Sequence, residues 1–218
     1  MKSNKSTTKL PGDFIIAGKK RVSHWQAFRG TLVVGRNPAL WEKAFKEYFH
    51  ARLSCRYLKP LKTLRESGAM RGEGFSIIAI QCSLIEFLES TIQGKSYRYR
   101  RNGDPPLGQY EYSNSGNMFE SFLINRPPFD GEFTTQPVAH DFYASVRCGV
   151  LHEARTKNGW TILAKSKTGQ LIDPNLKIVY RDNFQSGLLR FVKWYKAELP
   201  LRVNLQEAFL RKFDSLCV

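Results

Sequence analysis

FSIIAIQCSLIEFLESTIQ, residues Phe75 to Gln93, opens behind Gly72-Glu73-Gly74 and closes at Gly94. Phe75, Ile77, Ile78, Ile80, Cys82, Leu84, Ile85, Phe87, Leu88 and Ile92 cover most of its circumference at helical spacing. Only a narrow stripe through Ser76, Ser83, Glu86, Ser90 and Gln93 is polar. That pattern predicts a central helix packed on more than one side, ended by the glycine that follows it. The longest apolar stretch, Phe75 to Leu88, is broken by Gln81 and Glu86 and is shorter than the ~20 residues of a membrane span. A soluble chain with no membrane partner is expected.

The neighbouring segments arrange themselves around this helix. Asn37-Pro38 reads as a helix start, with Asn37 as N-cap and Pro38 in the first turn. Leu40, Ala44, Phe45, Tyr48, Phe49 and Leu53 continue it at helical spacing to Tyr57 or Arg65, kinked or divided at Pro60. Residues 1–37 read as a basic, irregular segment with a short strand at Phe14–Ala17 or Thr31–Val34. Downstream, residues 95–114 are a loop of Tyr, Arg, Gly and Pro. A short helix follows at Asn117–Leu123, then a Pro-rich turn at Arg126–Asp130. A third strong helix runs from Pro137 to His152 with Ala139, Phe142, Val146 and Val150 as its core stripe. Trp160–Ala164, Gln170–Ile172 and Lys177–Tyr180 read as strands of a small β-meander. Asp182 caps a helix to Leu199, and a last helix starts at Asn204. The expected fold class is mainly α, a helical bundle with a small β-meander near the C-terminus. Its parts are residues 1–37, 38–156 and 157–218, the last packed on the same domain.

The chain has 218 residues with 34 Lys+Arg against 19 Asp+Glu, a net charge of +15. The charge is +11 over residues 1–66, −2 over 67–137 and +6 over 138–218. Two basic ends around a near-neutral middle point to a polyanionic partner, nucleic acid ahead of a membrane surface. Met1 to Lys9 has no apolar stretch behind it, so no secretory signal is expected. Cys55, Cys82, Cys148 and Cys217 are scattered, as reduced thiols in the cytoplasm would be. No set of His, Cys, Asp or Glu has metal-ligand spacing, and neither a metal nor a cofactor is expected.

The segment DFYASVRCGVLHEARTKNGW, Asp141 to Trp160, carries chemistry. Arg147 and His152 enclose four residues late in a helix of a mainly helical chain. This Arg-x4-His spacing resembles the signature of the HEPN superfamily, over residues 38 to 156. The resemblance implies a small helical bundle, paired domains, and in many members metal-independent RNA cleavage in toxin–antitoxin or phage-defence systems. An inhibitory antitoxin protein and a homodimer would then be partners. Cys148 stands where such nucleases often carry a polar residue. Ala154 stands where the nucleotidylated variants carry tyrosine, which argues against that modification.

The residues support this chemistry on physical grounds. Cleavage through the 2′-hydroxyl needs a base near neutral pKa, which histidine supplies, and a permanent cation on the phosphate, which arginine supplies. Five residues of ideal helix rotate by about 140° and rise ~7.5 Å, so Arg147 and His152 do not meet on one straight helix. Either the helix bends near Gly149, or a second copy supplies the partner residue, with Gly149 letting two backbones approach. Glu86 is the candidate to orient Arg147, and Cys148 the neighbour sharing a face with His152. Arg155, Lys157, Lys165 and Lys167 would lay positive charge beside His152, and Arg98, Arg100 and Arg101, interleaved with tyrosines, would take single-stranded bases. The expected function is a HEPN-like endoribonuclease with Arg147 and His152 as catalytic residues. The alternative is a non-catalytic nucleic-acid-binding protein on the same scaffold.

Overall fold

The computed structural model describes residues 12–67 and 72–218. Among the described residues, seven helical runs and one short 3-10 turn, Phe129–Gly131, surround one aromatic core. A hairpin of β1 (Ile15–Ala17) and β2 (Lys20–Arg21) leads into α1 (Val22–Arg29). The helical run α2 covers residues 38–67. Then come α3 (Glu73–Gln93), a two-strand parallel pair of β3 (Ser96–Tyr97) and β4 (Glu111–Tyr112), and α4 (Ser115–Asn125). The run α5 covers residues 136–153. Strands β5 (Thr161–Leu163), β6 (Ile172–Asp173) and β7 (Ile178–Tyr180) precede α6 (Arg181–Glu198) and α7 (Val203–Ser215).

The expected basic lead-in is structured from Ile15 onward; its first eleven residues lie outside those described. Ile16, Ala17, Val22, Trp25 and Leu32 are buried in the common core, and Trp25 packs on Tyr48 and Phe213 with ring centres 5.0 and 5.4 Å apart. The strand falls at Ile15–Ala17 rather than at Thr31–Val34. Within α2, the turns at Phe45–His50 and Ser54–Leu58 are wide, with bonds to the fifth residue back. The second lies directly before Pro60, whose ring would otherwise strike the carbonyl four residues earlier. The proline is thus absorbed without dividing the helix.

Both ends of α3 are set by glycines in the left-handed region, Gly72 at φ 92° and Gly94 at φ 64°. A Cβ on Gly94 would lie 2.7 Å from Ala208 Cα, because α7 crosses there. By length and composition this 21-residue helix is long and apolar enough to cross a membrane, a correction to the shorter stretch read from sequence. Here it is the core helix, with Ile77, Ile78, Leu84, Ile85 and Leu88 buried. Its polar stripe is covered only toward the C-terminal end: Ser76 and Ser83 are exposed, Glu86 and Gln93 half-buried and Ser90 buried, and Glu89 beside it faces the interior. Glu89 is fully buried and takes a two-pronged ion pair from Arg126, at 2.8 and 2.9 Å, with Ser121 donating at 2.8 Å.

The expected meander is not one. The sheet order is β5-β7-β6, with β5 parallel and β6 antiparallel to β7. Periodicity marks strands but not their pairing, and the segment between β5 and β6 carries the chain past the site where β7 later inserts. Residues of all three expected parts share one core, from Ile16 through Phe142 to Phe213.

Candidate functional site

The motif helix α5 changes pitch just before the Arg147–His152 interval, which is itself α-helical. Gln136–Phe142 is α-helical, Tyr143–Arg147 forms a wide turn, and Cys148–Glu153 is α-helical again. Arg147 and His152 therefore face away from each other across the buried stripe, as the ~140° offset requires. No hydrogen bond joins them.

Arg147 is half-buried. Its guanidinium carbon sits 5.3 Å from the centre of the Tyr143 ring, and a guanidinium nitrogen lies 3.9 Å from Cys148 Sγ. Among the described residues it has no carboxylate partner. Glu86, expected to orient it, instead accepts from Tyr112 Oη at 3.0 Å and Ser115 Oγ at 2.8 Å. Those donors lie more than twenty residues downstream, beyond the reach of local pattern reading. Burial pushes the Tyr143 phenol up, partly offset by Arg147. Burial likewise pushes the nearby Cys82 thiol up to about 12, against the field of Arg147. Cys148 is half-buried beside Arg147 and makes no bond to His152. His152 is exposed and its ring makes no hydrogen bond among the described residues. Leu151, one turn beyond Arg147, is 41% exposed, so this side of the helix is open.

Gly149 does not bend the helix, and its close approach is made within the chain. Ala154, at φ 53°, turns the chain back over α5. A Cβ on Gly149 would lie 2.5 Å from the Arg155 carbonyl oxygen. The backbone amide of Lys157 donates to the Ser145 carbonyl at 2.9 Å. The Gly149 face is thus filled by residues 155–157 and is closed to a second backbone. Asp141, which sequence reading passed over, anchors this fold-back. It accepts from Ser145 Oγ at 2.7 Å, Trp160 Nε1 at 3.0 Å and Lys177 Nζ at 2.5 Å. Burial raises its pKa, but these donors outweigh burial and hold it below the usual carboxylate range. The signal lay in its position, four residues before Ser145 on one helix face.

The expected cations divide into two classes. Arg155 and Lys157 both pair with Glu153, Arg155 at 3.0 Å. Lys165 and Lys167 are exposed and carry no ion pair among the described residues. Arg98 is committed to the fold, bound to Glu111 at 2.7 Å and to the carbonyls of Pro105 and Pro106 at 3.0 and 2.7 Å. Arg100 and Arg101 are exposed, and Arg101 lies over the Tyr99 ring at 5.9 Å. Among the described residues, no group of three or more His, Cys, Asp and Glu side chains is close enough to hold a metal ion. No family model, curated protein or solved structure matches the chain.

Proposed function

We propose that the protein binds single-stranded RNA and cleaves it without a metal, at a site that two copies build together, Arg147 from one and His152 from the other. The observation carrying this reading is Arg147 itself. A half-buried guanidinium normally pairs with a carboxylate, and this one is held only by a ring face and a sulfur, leaving its planar donors for a phosphate. His152 is equally uncommitted and exposed. In the proposed reaction its imidazole takes the 2′-hydroxyl proton as the 2′-oxygen attacks phosphorus. The bond to the 5′-oxygen breaks, and the imidazolium returns the proton to that leaving oxygen. The products are a 2′,3′-cyclic phosphate and a 5′-hydroxyl, and Arg147 offsets charge on the phosphorane.

The net charge of +15 and the unpaired Lys165, Lys167, Arg100 and Arg101 support the polyanion as partner. The free state of all four cysteines fits a reducing cytoplasm. The resemblance to HEPN proteins supports a toxin or phage-defence effector held in check by an inhibitory protein. One observation favours a second reading, RNA binding without cleavage: Arg147 and His152 do not meet within one chain. Incubating single-stranded RNA with the protein in EDTA separates the two. Cleavage to cyclic-phosphate ends, lost in His152→Ala and in Arg147→Ala, supports the first. Binding with no cleavage in either EDTA or Mg²⁺ supports the second.

A further inference from the structure

A second guanidinium, far from the motif in sequence, is also held by a ring and not by an acid. Arg211, on α7, is half-buried and makes no ion pair or hydrogen bond among the described residues. Its Nε is buried without a partner, whereas buried polar groups are nearly always satisfied. The side chain runs past the end of α3, where a Cβ on Gly94 would lie 2.8 Å from Nε. Its guanidinium carbon ends 4.2 Å from the centre of the Tyr110 ring. So short a distance sets the cation against a face of the ring and not its edge. Tyr110 is 42% exposed, which leaves the opposite face open to solvent.

The loop that presents Tyr110 is fixed. The Tyr110 carbonyl accepts from the Ser96 amide at 2.9 Å, and Glu111 beside it accepts from Arg98 and, at 2.8 Å, from the Gly108 amide. An exposed ring ordinarily loses rotamer freedom when it binds; this one is already placed by its backbone and by Arg211. Tyr99 on the same loop repeats the arrangement, 67% exposed and with Arg101 at its ring. Lys212, next to Arg211, is buried, donates to the Lys95 carbonyl at 2.9 Å and makes no ion pair among the described residues. This end of α3 thus gathers exposed aromatic faces and cations that no acid neutralises. Surfaces that hold single strands without reading sequence have this make-up, rings for the bases and cations for the phosphates. We propose that Tyr110 and Arg211 form a platform for single-stranded RNA. An unpaired base stacks on the open face of Tyr110, and a phosphate takes the remaining donors of Arg211. Duplex bases, stacked on one another, offer no such face, and an acidic peptide or a lipid headgroup would use Arg211 but not the ring. The inference rests on the reading of the chain as an RNA-binding protein and names where the bases are held, with residues separate from Arg147 and His152.

The test is an anisotropy titration of the full chain carrying His152→Ala, so that cleavage plays no part. The probe is a short labelled single-stranded RNA of mixed sequence. The competitors are a duplex of the same sequence and inorganic polyphosphate, which has the charge but no bases. The single strand should bind more tightly than the duplex. Tyr110→Ala should weaken the single strand about tenfold and leave polyphosphate within about twofold. Tyr110→Trp, which keeps a ring, should bind as the parent does. Arg211→Met should weaken both ligands and lower the log–log salt slope for the single strand by about 0.7. A parent chain that binds no single-stranded RNA overturns the RNA-binding reading and the platform with it. A parent chain that binds RNA, with Tyr110→Ala and Arg211→Met at the same affinity, overturns the platform alone. Equal losses of RNA and polyphosphate in Tyr110→Ala mark a bare anion surface without base stacking, which also overturns the proposal.

Discussion

The guanidinium of Arg147 rests against the face of Tyr143, four residues earlier on the same helix, with its carbon 5.3 Å from the ring centre. The contact crosses the wide turn Tyr143–Arg147. Tyr143 is fixed in turn by Phe119, whose ring centre lies 5.3 Å away. Arg147 is therefore held in place by an aromatic platform, while its donors stay free of any acid.

Removing that platform should loosen the arginine. In Tyr143→Leu the lost cation–π contact is worth about 1 kcal/mol, close to a fivefold loss of affinity for single-stranded RNA. Tyr143→Phe keeps the ring and should bind as the wild type does. Filter-binding titrations at fixed salt check this. Equal affinity for the leucine and wild-type chains would mean that Arg147 does not touch RNA.

Gly149→Ala should destabilise the protein by about 2–3 kcal/mol, since the new methyl would lie 2.5 Å from the Arg155 carbonyl and the fold-back must move. Urea unfolding measures it. A loss below about 0.5 kcal/mol would show that residues 155–157 do not lie against the helix.

Asp141 gives a stability term with a definite sign. Its folded pKa lies below the unfolded value of about 3.9, so its contribution is complete above that value and is lost as pH falls through the folded pKa. Wild type should lose stability between about pH 5 and pH 3 more steeply than Asp141→Asn. Thermal melts across that range decide it, and parallel curves would refute the Lys177, Ser145 and Trp160 bonds.

Much of this was legible in the sequence, and what was not has physical causes. The ends of α3 were readable because glycine is the residue that adopts φ 92° and 64° at helix termini. The helix Val22–Arg29 was not, because its buried side consists of only Val22 and Trp25 in a basic, polar stretch. Arg147 and His152 stood out by spacing. Their separation on one helix was readable from its pitch, but the filling of the Gly149 face was not. It depends on Ala154 turning left-handed and on Asp141 gathering Trp160 and Lys177 from far along the chain. Glu86 was misread for the same reason, since Tyr112 and Ser115 reach it only in the folded bundle.

Glu153 neutralises Arg155 and Lys157 together. Glu153→Gln should free both cations, tighten RNA binding and steepen its salt dependence. Each added phosphate contact raises the log–log slope by about 0.7 on single strands. Anisotropy titrations at several salt concentrations read the slope. A slope unchanged from wild type would place these two residues off the RNA path.

Complementation tests the central claim most directly. Arg147→Ala and His152→Ala chains are each expected to lose RNA cleavage by about 10² or more. Mixed after unfolding and refolding together, they form some heterodimers in which one site keeps an intact Arg147 from one chain and His152 from the other. The account predicts that the mixture recovers part of the wild-type rate in EDTA while each variant alone stays inactive. A mixture no more active than its components, alongside a wild-type chain that cuts RNA as a monomer, would contradict it.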